Sequence, residues 1–132
     1  MTERRQHAGL SPDRWAAFPF AQQVLMIGNE MNRGLYHLGL QDRDRARPSY
    51  ERVLQLVDLT VGLPLARSRR RELLRWRDLV ASLYLDDDPS LDAHVDAFRC
   101  LLRMTPESSR QTAELPGLSP RRGDRRKPEC WR

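Results

Sequence analysis

An all-α fold, an antiparallel bundle of about four helices followed by a disordered basic C-terminal tail, is what this 132-residue sequence predicts. Three observations lead there. Large apolar residues recur at steps of three and four along four separate stretches, the spacing that lines one face of a helix. No stretch alternates apolar and polar residues with the period of two that a half-buried strand needs. The connections between the later stretches are only a few residues long, which makes consecutive helices antiparallel neighbours.

Taken in order, residues 1–14 are polar and expected to fray. Ser11-Pro12-Asp13 reads as a helix start, with Ser11 as cap and Pro12 in the first helical position. That start supports one short turn carrying Trp15 and Phe18 before Pro19 resets the backbone. Phe20, Val24, Ile27, Met31, Leu35 and Leu38 then define a helix near residues 19–38, with Gly39 as its stop. Gly28 and Gly34 lie inside it at a cost of about 1 kcal/mol each relative to Ala, so another helix is expected to pack closely at one of them.

A second helix, near 48–62, opens at Pro48 and carries Tyr50, Val53, Leu54, Val57 and Val61 on one face. A third, near 65–85, carries Leu73, Leu74, Val80, Leu83 and Tyr84, with Trp76 and Leu79 flanking. Asp88 and Pro89 read as cap and first residue of a fourth, near 89–104, which buries Val95, Phe98, Leu101 and Leu102. The expected core is Val24, Ile27, Met31, Leu35, Val53, Leu54, Val57, Leu73, Leu74, Val80, Leu83, Phe98 and Leu101. The domain organisation is a frayed 1–14, a bundle over 15–105 and a disordered basic tail over 106–132.

The net charge of +5 belongs to that tail. Residues 1–109 hold 16 Lys and Arg against 15 Asp and Glu, whereas residues 110–132 hold seven against three. The tail has Pro116, Gly117, Pro120, Gly123 and Pro128 among its breakers, and only Leu115, Leu118 and Trp131 as large apolar groups. Burying three side chains does not offset an ordering cost of about 1–2 kcal/mol per residue. The tail is therefore expected to make no stable contact with the bundle, and Cys130 to be unpaired. Of the 23 basic residues only Lys127 is lysine, an imbalance that reflects coding composition more readily than anion binding.

Cys100 and Cys130 make neither a disulfide framework nor a metal site, which suits a reducing, cytoplasmic setting. No apolar run reaches the roughly 18 residues of a spanning helix, so no membrane association is expected. The residues after Met1 lack the core of an export signal.

Five constellations bear on chemistry. Arg33 and His37, four apart, could share a helix face and grip a phosphate, as in helical-bundle ribonucleases of the HEPN class. Those enzymes place four to six residues between the pair and a polar residue after the Arg, whereas here three intervene and Gly34 follows. Arg67, Arg70, Arg71 and Arg75 form a basic stripe able to meet a nucleic-acid backbone, although interleaved Glu72 and Asp78 favour a solvated, ion-paired face. Glu30, among core positions, is positioned to pair with Arg33 or with an Arg of another helix. Neither His37 nor His94 follows a Glu by three residues, so a di-metal carboxylate site is not supported and no metal or cofactor is expected. Trp15, Phe18 and Phe20 either staple the N-terminus onto the bundle or form a docking patch for a partner.

Four segments also resemble a group of small bacterial all-helical proteins with no established activity. They are Trp15-x-x-Phe18-Pro19-Phe20, Ile27-Gly28-Asn29-Glu30-Met31-Asn32-Arg33, the run from Tyr50 to Thr60, and Leu73-Leu74-Arg75-Trp76-Arg77-Asp78-Leu79. The likeness covers about residues 15–104, implies a compact helical domain and supplies no catalytic residues. A looser similarity links it to small four-helix-bundle accessory factors that oligomerise.

The function these readings favour is a non-enzymatic helical interaction module acting as a homo-oligomer or on a protein partner, with no evident small-molecule substrate. The alternative is a nucleic-acid-binding accessory that uses the Arg67–Arg77 stripe and the tail. A bundle ribonuclease comes last.

Overall fold

The structure, a computed structural model, describes residues 11–115 and residue 118. Among them are seven helices and no strand: α1 Pro12–Ala16, α2 Phe20–Gly39, α3 Arg43–Val61, α4 Arg67–Leu85, α5 Leu91–Leu102, α6 Pro106–Ser109 and α7 Gln111–Glu114. The four long helices close a ring: α2 packs on α3, α3 on α4, α4 on α5, and α5 back on α2. The α4–α5 seam is the loosest of the four. No described helix is long and apolar enough to cross a membrane.

Side-chain caps set several of the starts by satisfying backbone N–H groups that have no partner in the first turn. Ser11 Oγ accepts from Arg14 N, and Asp42 Oδ1 from Arg45 N, both at 3.2 Å. Ser90 Oγ accepts from Ala93 N at 3.2 Å, and Thr105 Oγ1 from Ser108 N at 3.0 Å. Two of these caps move boundaries. Asp42 starts α3 at Arg43, so Pro48 lies inside the helix instead of opening it. Its missing N–H leaves only the carbonyl of Asp44 without a helical partner, close to the solvated helix start, where the loss is small. Ser90, not Asp88, caps α5. At the end of α2, Gly39 is the last helical residue, and it is Gln41, at φ 58°, that turns the chain.

Val24, Ile27, Met31, Val53, Val57, Leu73, Val80, Leu83, Phe98 and Leu101 are buried, as the periodicity implies. Leu35 and Leu54 only lean on this core, and Leu74, read as a core residue, is 44% exposed. Its place is taken by Trp76, which is fully buried and donates its indole N–H to Ala97 O at 2.7 Å.

At the centre, α5 delivers His94 between α2 and α3 with no exposure at all. Its Nε2 lies 2.8 Å from Met31 O and its Nδ1 2.7 Å from the Tyr50 hydroxyl. A carbonyl only accepts, so Nε2 carries the proton, and Nδ1 accepts from Tyr50. The neutral ring is thereby satisfied on both sides. Burial pushes its pKa down to about 4, against the weaker upward pull of the Met31 carbonyl. Burial also raises the Tyr50 hydroxyl. The close approach expected at one of the α2 glycines occurs here: Gly34 faces the His94 ring.

The tail does not begin at residue 106. Thr105-Pro106 is a helix start of the same kind as Ser11-Pro12; α6 packs on α2 and α7 on α5. Ser108 is buried and donates to Leu102 O at 2.6 Å. Leu118 is fully buried, and its carbonyl accepts from Arg99 Nε at 2.8 Å. The expectation of a tail without contacts is therefore corrected through Leu118, because hydrogen-bonded turns hold these residues on the bundle along with their side chains. The rest of the tail reading, Cys130 included, and the fraying of residues 1–10 lie outside the described residues. Cys100 is disulfide-bonded, against the expectation that the cysteines form no disulfide.

Candidate functional site: the groove between the fourth and fifth helices

Along α4, Leu79, Ser82, Leu83 and Asp86 follow one another at steps of three, one and three; along α5, Ala93, Asp96, Ala97 and Cys100 do the same. Each set lies on one helix face, and the two antiparallel faces oppose each other. Ser82, Ala93, Ala97 and Cys100 are small, so neither helix fills the space between them. A groove of about 410 Å³ results. Its floor is Leu83, Ala97 and Cys100, all buried; Leu79, Ser82 and Ala93 stand exposed on its walls. Asp86 and Asp96 stand at its rim, Asp96 paired with Arg99 at 3.8 Å. The indole of Trp76, tied to Ala97 O, fixes the spacing of the two helices beside it. The surface is apolar inside and acidic at its edge.

A second cavity, of about 230 Å³, lies between the N-terminal end of α3 and the C-terminal end of α4. Two of its lining residues, Arg47 and Tyr84, are engaged internally. Arg47 donates to Tyr84 O at 3.0 Å and stacks 4.5 Å over the Tyr84 ring, while the Tyr84 hydroxyl donates to Glu51 Oε2 at 2.7 Å. That bond to Glu51 raises the Tyr84 pKa.

The residues singled out by sequence fare differently. Trp15 is fully buried, with its indole N–H on Thr60 Oγ1 at 2.9 Å and its carbonyl accepting from Gln23 Nε2 at 3.0 Å. It is a staple. Phe20 is partly buried beneath the Arg69 guanidinium, 4.2 Å from its ring centroid, and Phe18 is 36% exposed. The three do not form one exposed patch.

Arg70 leaves the basic stripe, because its guanidinium donates to Val61 O at 3.1 Å and Leu63 O at 2.7 Å. Arg77 is held by Asp58 at 2.7 Å, and this hydrogen bond raises its pKa further. Arg67, Arg71 and Arg75 remain exposed on one face, four residues apart, with no ion pair to any carboxylate among the described residues.

Arg33 is 65% exposed and pairs with Glu30 at 3.6 Å, while His37 lies edge-on to Tyr36; the two are not brought together by any described contact. Glu30 takes the role expected of it. Buried, it accepts from Arg52 Nε of α3 at 2.9 Å. No cluster of three His, Cys, Asp or Glu suited to a metal ion occurs among the described residues.

The groove itself was invisible to sequence reasoning, which looked for large side chains. The signal was there in the small ones: Ala93, Ala97 and Cys100 recur at helical spacing on a helix whose large apolar residues, Phe98, Leu101 and Leu102, lie to the other side.

Comparison with protein-family models, with curated proteins and with solved structures finds no match for this chain in any of the three. The resemblance noted above therefore rests on the quoted residues alone and assigns no family.

Proposed function

We propose that this protein is a non-enzymatic interaction module of the cytoplasm, and that it docks apolar side chains of a second copy or of a protein partner in the α4–α5 groove. One observation carries the reading: two helix faces of small and apolar residues oppose each other around about 410 Å³ of unfilled space. Leu79, on the groove wall, is 36% exposed and offers a partner an apolar contact there. The strongly perturbed buried group, His94, has both nitrogens bonded within the core and faces no cleft, so it offers no general acid or base to a substrate. In this reading no metal, cofactor or small-molecule substrate takes part.

Light scattering over a range of protein concentrations, with thiols kept reduced, tests the self-association form. The mass should rise with concentration in the natural chain and stay monomeric in Leu79→Arg, which puts a charge on the groove wall. A monomer at every concentration in both removes that form.

The free arginines support a second reading, a nucleic-acid-binding accessory. Arg67, Arg71 and Arg75 would contact three phosphates, so log affinity should fall with log salt at a slope of about −3. Loss of a gel shift in the Arg71→Glu, Arg75→Glu double variant supports it, and absence of any shift at low salt ends it.

A further inference from the structure

Leu73, Trp76, Val80 and Leu83 turn one side of α4 into the bundle, where it packs on α3 and α5. The exposed positions of the helix recur at threes and fours on the other side, from Arg67 to the C-cap at Asp86. Charge along this stripe is divided by position. The first half carries Arg67, Arg71 and Arg75 and no acid; the second half carries Asp78 and Asp86 and no base. None of these five side chains forms an ion pair among the described residues. The order also opposes the helix's own field. A helix favours acidic side chains at its N-terminal end and basic ones at its C-terminal end, yet α4 has no acid in its first turn and no base in its last.

We propose that the exposed stripe of α4 is a self-complementary docking surface, on which α4 of a second copy lies antiparallel across a twofold axis. The inference rests on the self-association form of the function proposed above and identifies the surface that the second copy uses. Antiparallel pairing sets each basic half against an acidic half and opposes the two helix dipoles. With the axis level with the midpoint between Trp76 and Arg77, Arg75 of each copy comes level with Asp78 of the other, and Arg67 with Asp86. Between these, Arg71 comes level with Ser82 and Leu74 with Leu79. A twofold contact is isologous, so each pairing occurs twice. Leu79, Ser82 and Asp86 also line the α4–α5 groove, so the second copy lies along that wall. A phosphate backbone would meet the arginines but be repelled by Asp78 and Asp86, whereas a second copy answers both halves of the stripe.

Sedimentation equilibrium of the full chain with thiols reduced, at low and high salt, tests the pairing. The natural chain should form a dimer that weakens as salt screens the charges. Arg75→Glu and Asp78→Arg change exposed positions and should keep the natural helical content by circular dichroism. Each alone should weaken the dimer by roughly tenfold or more, because one substitution turns two attractive contacts into repulsive ones. Combined in one chain, the two should restore the homodimer. An equimolar mixture of the two single variants should give a heterodimer, although neither variant dimerises well alone. Weakening in both singles without restoration in either combination overturns the antiparallel register. If the single variants dimerise like the natural chain while Leu79→Arg is monomeric, the α4 pairing is wrong and docking in the groove stands. If the natural chain is monomeric at both salt concentrations, the pairing fails together with self-association, and the groove is left to a different protein. If Arg75→Glu keeps the natural mass but loses a nucleic-acid gel shift, the stripe serves nucleic acid and the pairing is overturned.

Discussion

A methyl group placed on Gly34 would come to 2.9 Å from Cε1 of His94, closer than the ring can accept, because both of its nitrogens are already bonded. The imidazole has nowhere to retreat. Met31 O holds one side, Tyr50 the other, and the edge of Phe98 packs against it. Gly34 is thus the complement of His94, and the pair fixes how closely α5 approaches α2.

Gly34→Ala should therefore destabilise the fold despite the better helix propensity of alanine. Propensity returns about 1 kcal/mol, and overpacking costs about 1–3 kcal/mol, so a net loss of up to about 2 kcal/mol is expected. Gly28 in the same helix is the control. A Cβ there meets Phe98 at 3.4 Å and Leu102 at 3.5 Å, which is ordinary contact. Gly28→Ala should be neutral or stabilising by up to about 1 kcal/mol. Urea unfolding of both variants decides it; the same sign for the two would show that the Gly34 contact is not tight.

His94 should make stability depend on pH in a defined window. Its folded pKa, about 4, lies below the ordinary 6.5. Between these values the unfolded chain takes up a proton that the folded chain refuses, so stability falls as the solution is acidified. The contribution is fully present above about pH 6.5, declines by roughly 3 kcal/mol on the way down to pH 4 at 1.36 kcal/mol per unit, and changes no further below. Carboxylates titrate nearby, so the relevant quantity is the difference between the natural chain and His94→Phe. That difference should slope between pH 4 and 6.5 and be flat above. Direct titration of the His94 ring proton resonance provides a second readout, and a midpoint near 6.5 would contradict the buried neutral ring.

These two predictions come from the part of the molecule that sequence reading could not reach. Spacing at threes and fours located α2, α4 and α5 because their buried faces are continuous and apolar. It cannot show that His94 meets Met31 and Tyr50, which lie 63 and 44 positions away and carry no local mark of the meeting. The boundary differences have a different origin. Pro48 and Asp88-Pro89 each look like a helix start, but Asp42 and Ser90 are the side chains that reach the open N–H groups. Leu74 and Trp76 lie two positions apart on α4 and cannot both face the core; burial of the larger side chain prevailed. Thr105-Pro106, where the tail is expected to begin, has the composition of a helix start. The groove was hidden for the opposite reason, since its defining property is side chains too small to fill it.

The two arginines on Glu30 should differ sharply in worth. Arg33 is 65% exposed and 3.6 Å away, whereas Arg52 is 20% exposed and donates at 2.9 Å. Arg33→Ala should cost less than about 0.5 kcal/mol, the range of exposed i,i+3 pairs. Arg52→Ala withdraws the short bond from a carboxylate that is only 5% exposed, and also removes a contact to Ser49 Oγ. Its cost should be about 1–3 kcal/mol. Thermal unfolding of the two variants at low and high salt checks this, with salt affecting the Arg33 variant's difference more. Equal costs would mean that the buried partner adds nothing beyond the surface one.

Leu118 turns the start of the C-terminal segment from a loose end into part of the bundle. Its side chain is fully buried, its N–H donates to Leu115 O at 3.0 Å, and its carbonyl takes the Arg99 guanidinium at 2.8 Å. Arg99 is 14% exposed and sits on α5, so the segment closes over the helix that carries His94 and Cys100. Leu118→Ala should cost about 2–4 kcal/mol, the usual loss for a buried leucine. For a domain of this size each kcal/mol moves the midpoint by about 4–8 °C, so a fall of roughly 10 °C or more is expected. A chain ending at Gln111 loses the same side chain together with both backbone bonds, and should unfold lower still. A chain ending at Ser119 retains Leu118 and its bonds; measured with thiols reduced, so that loss of Cys130 has no effect of its own, it should unfold near the full-length midpoint. If the chain ending at Gln111 matches the full-length protein instead, Leu118 contributes nothing to the core.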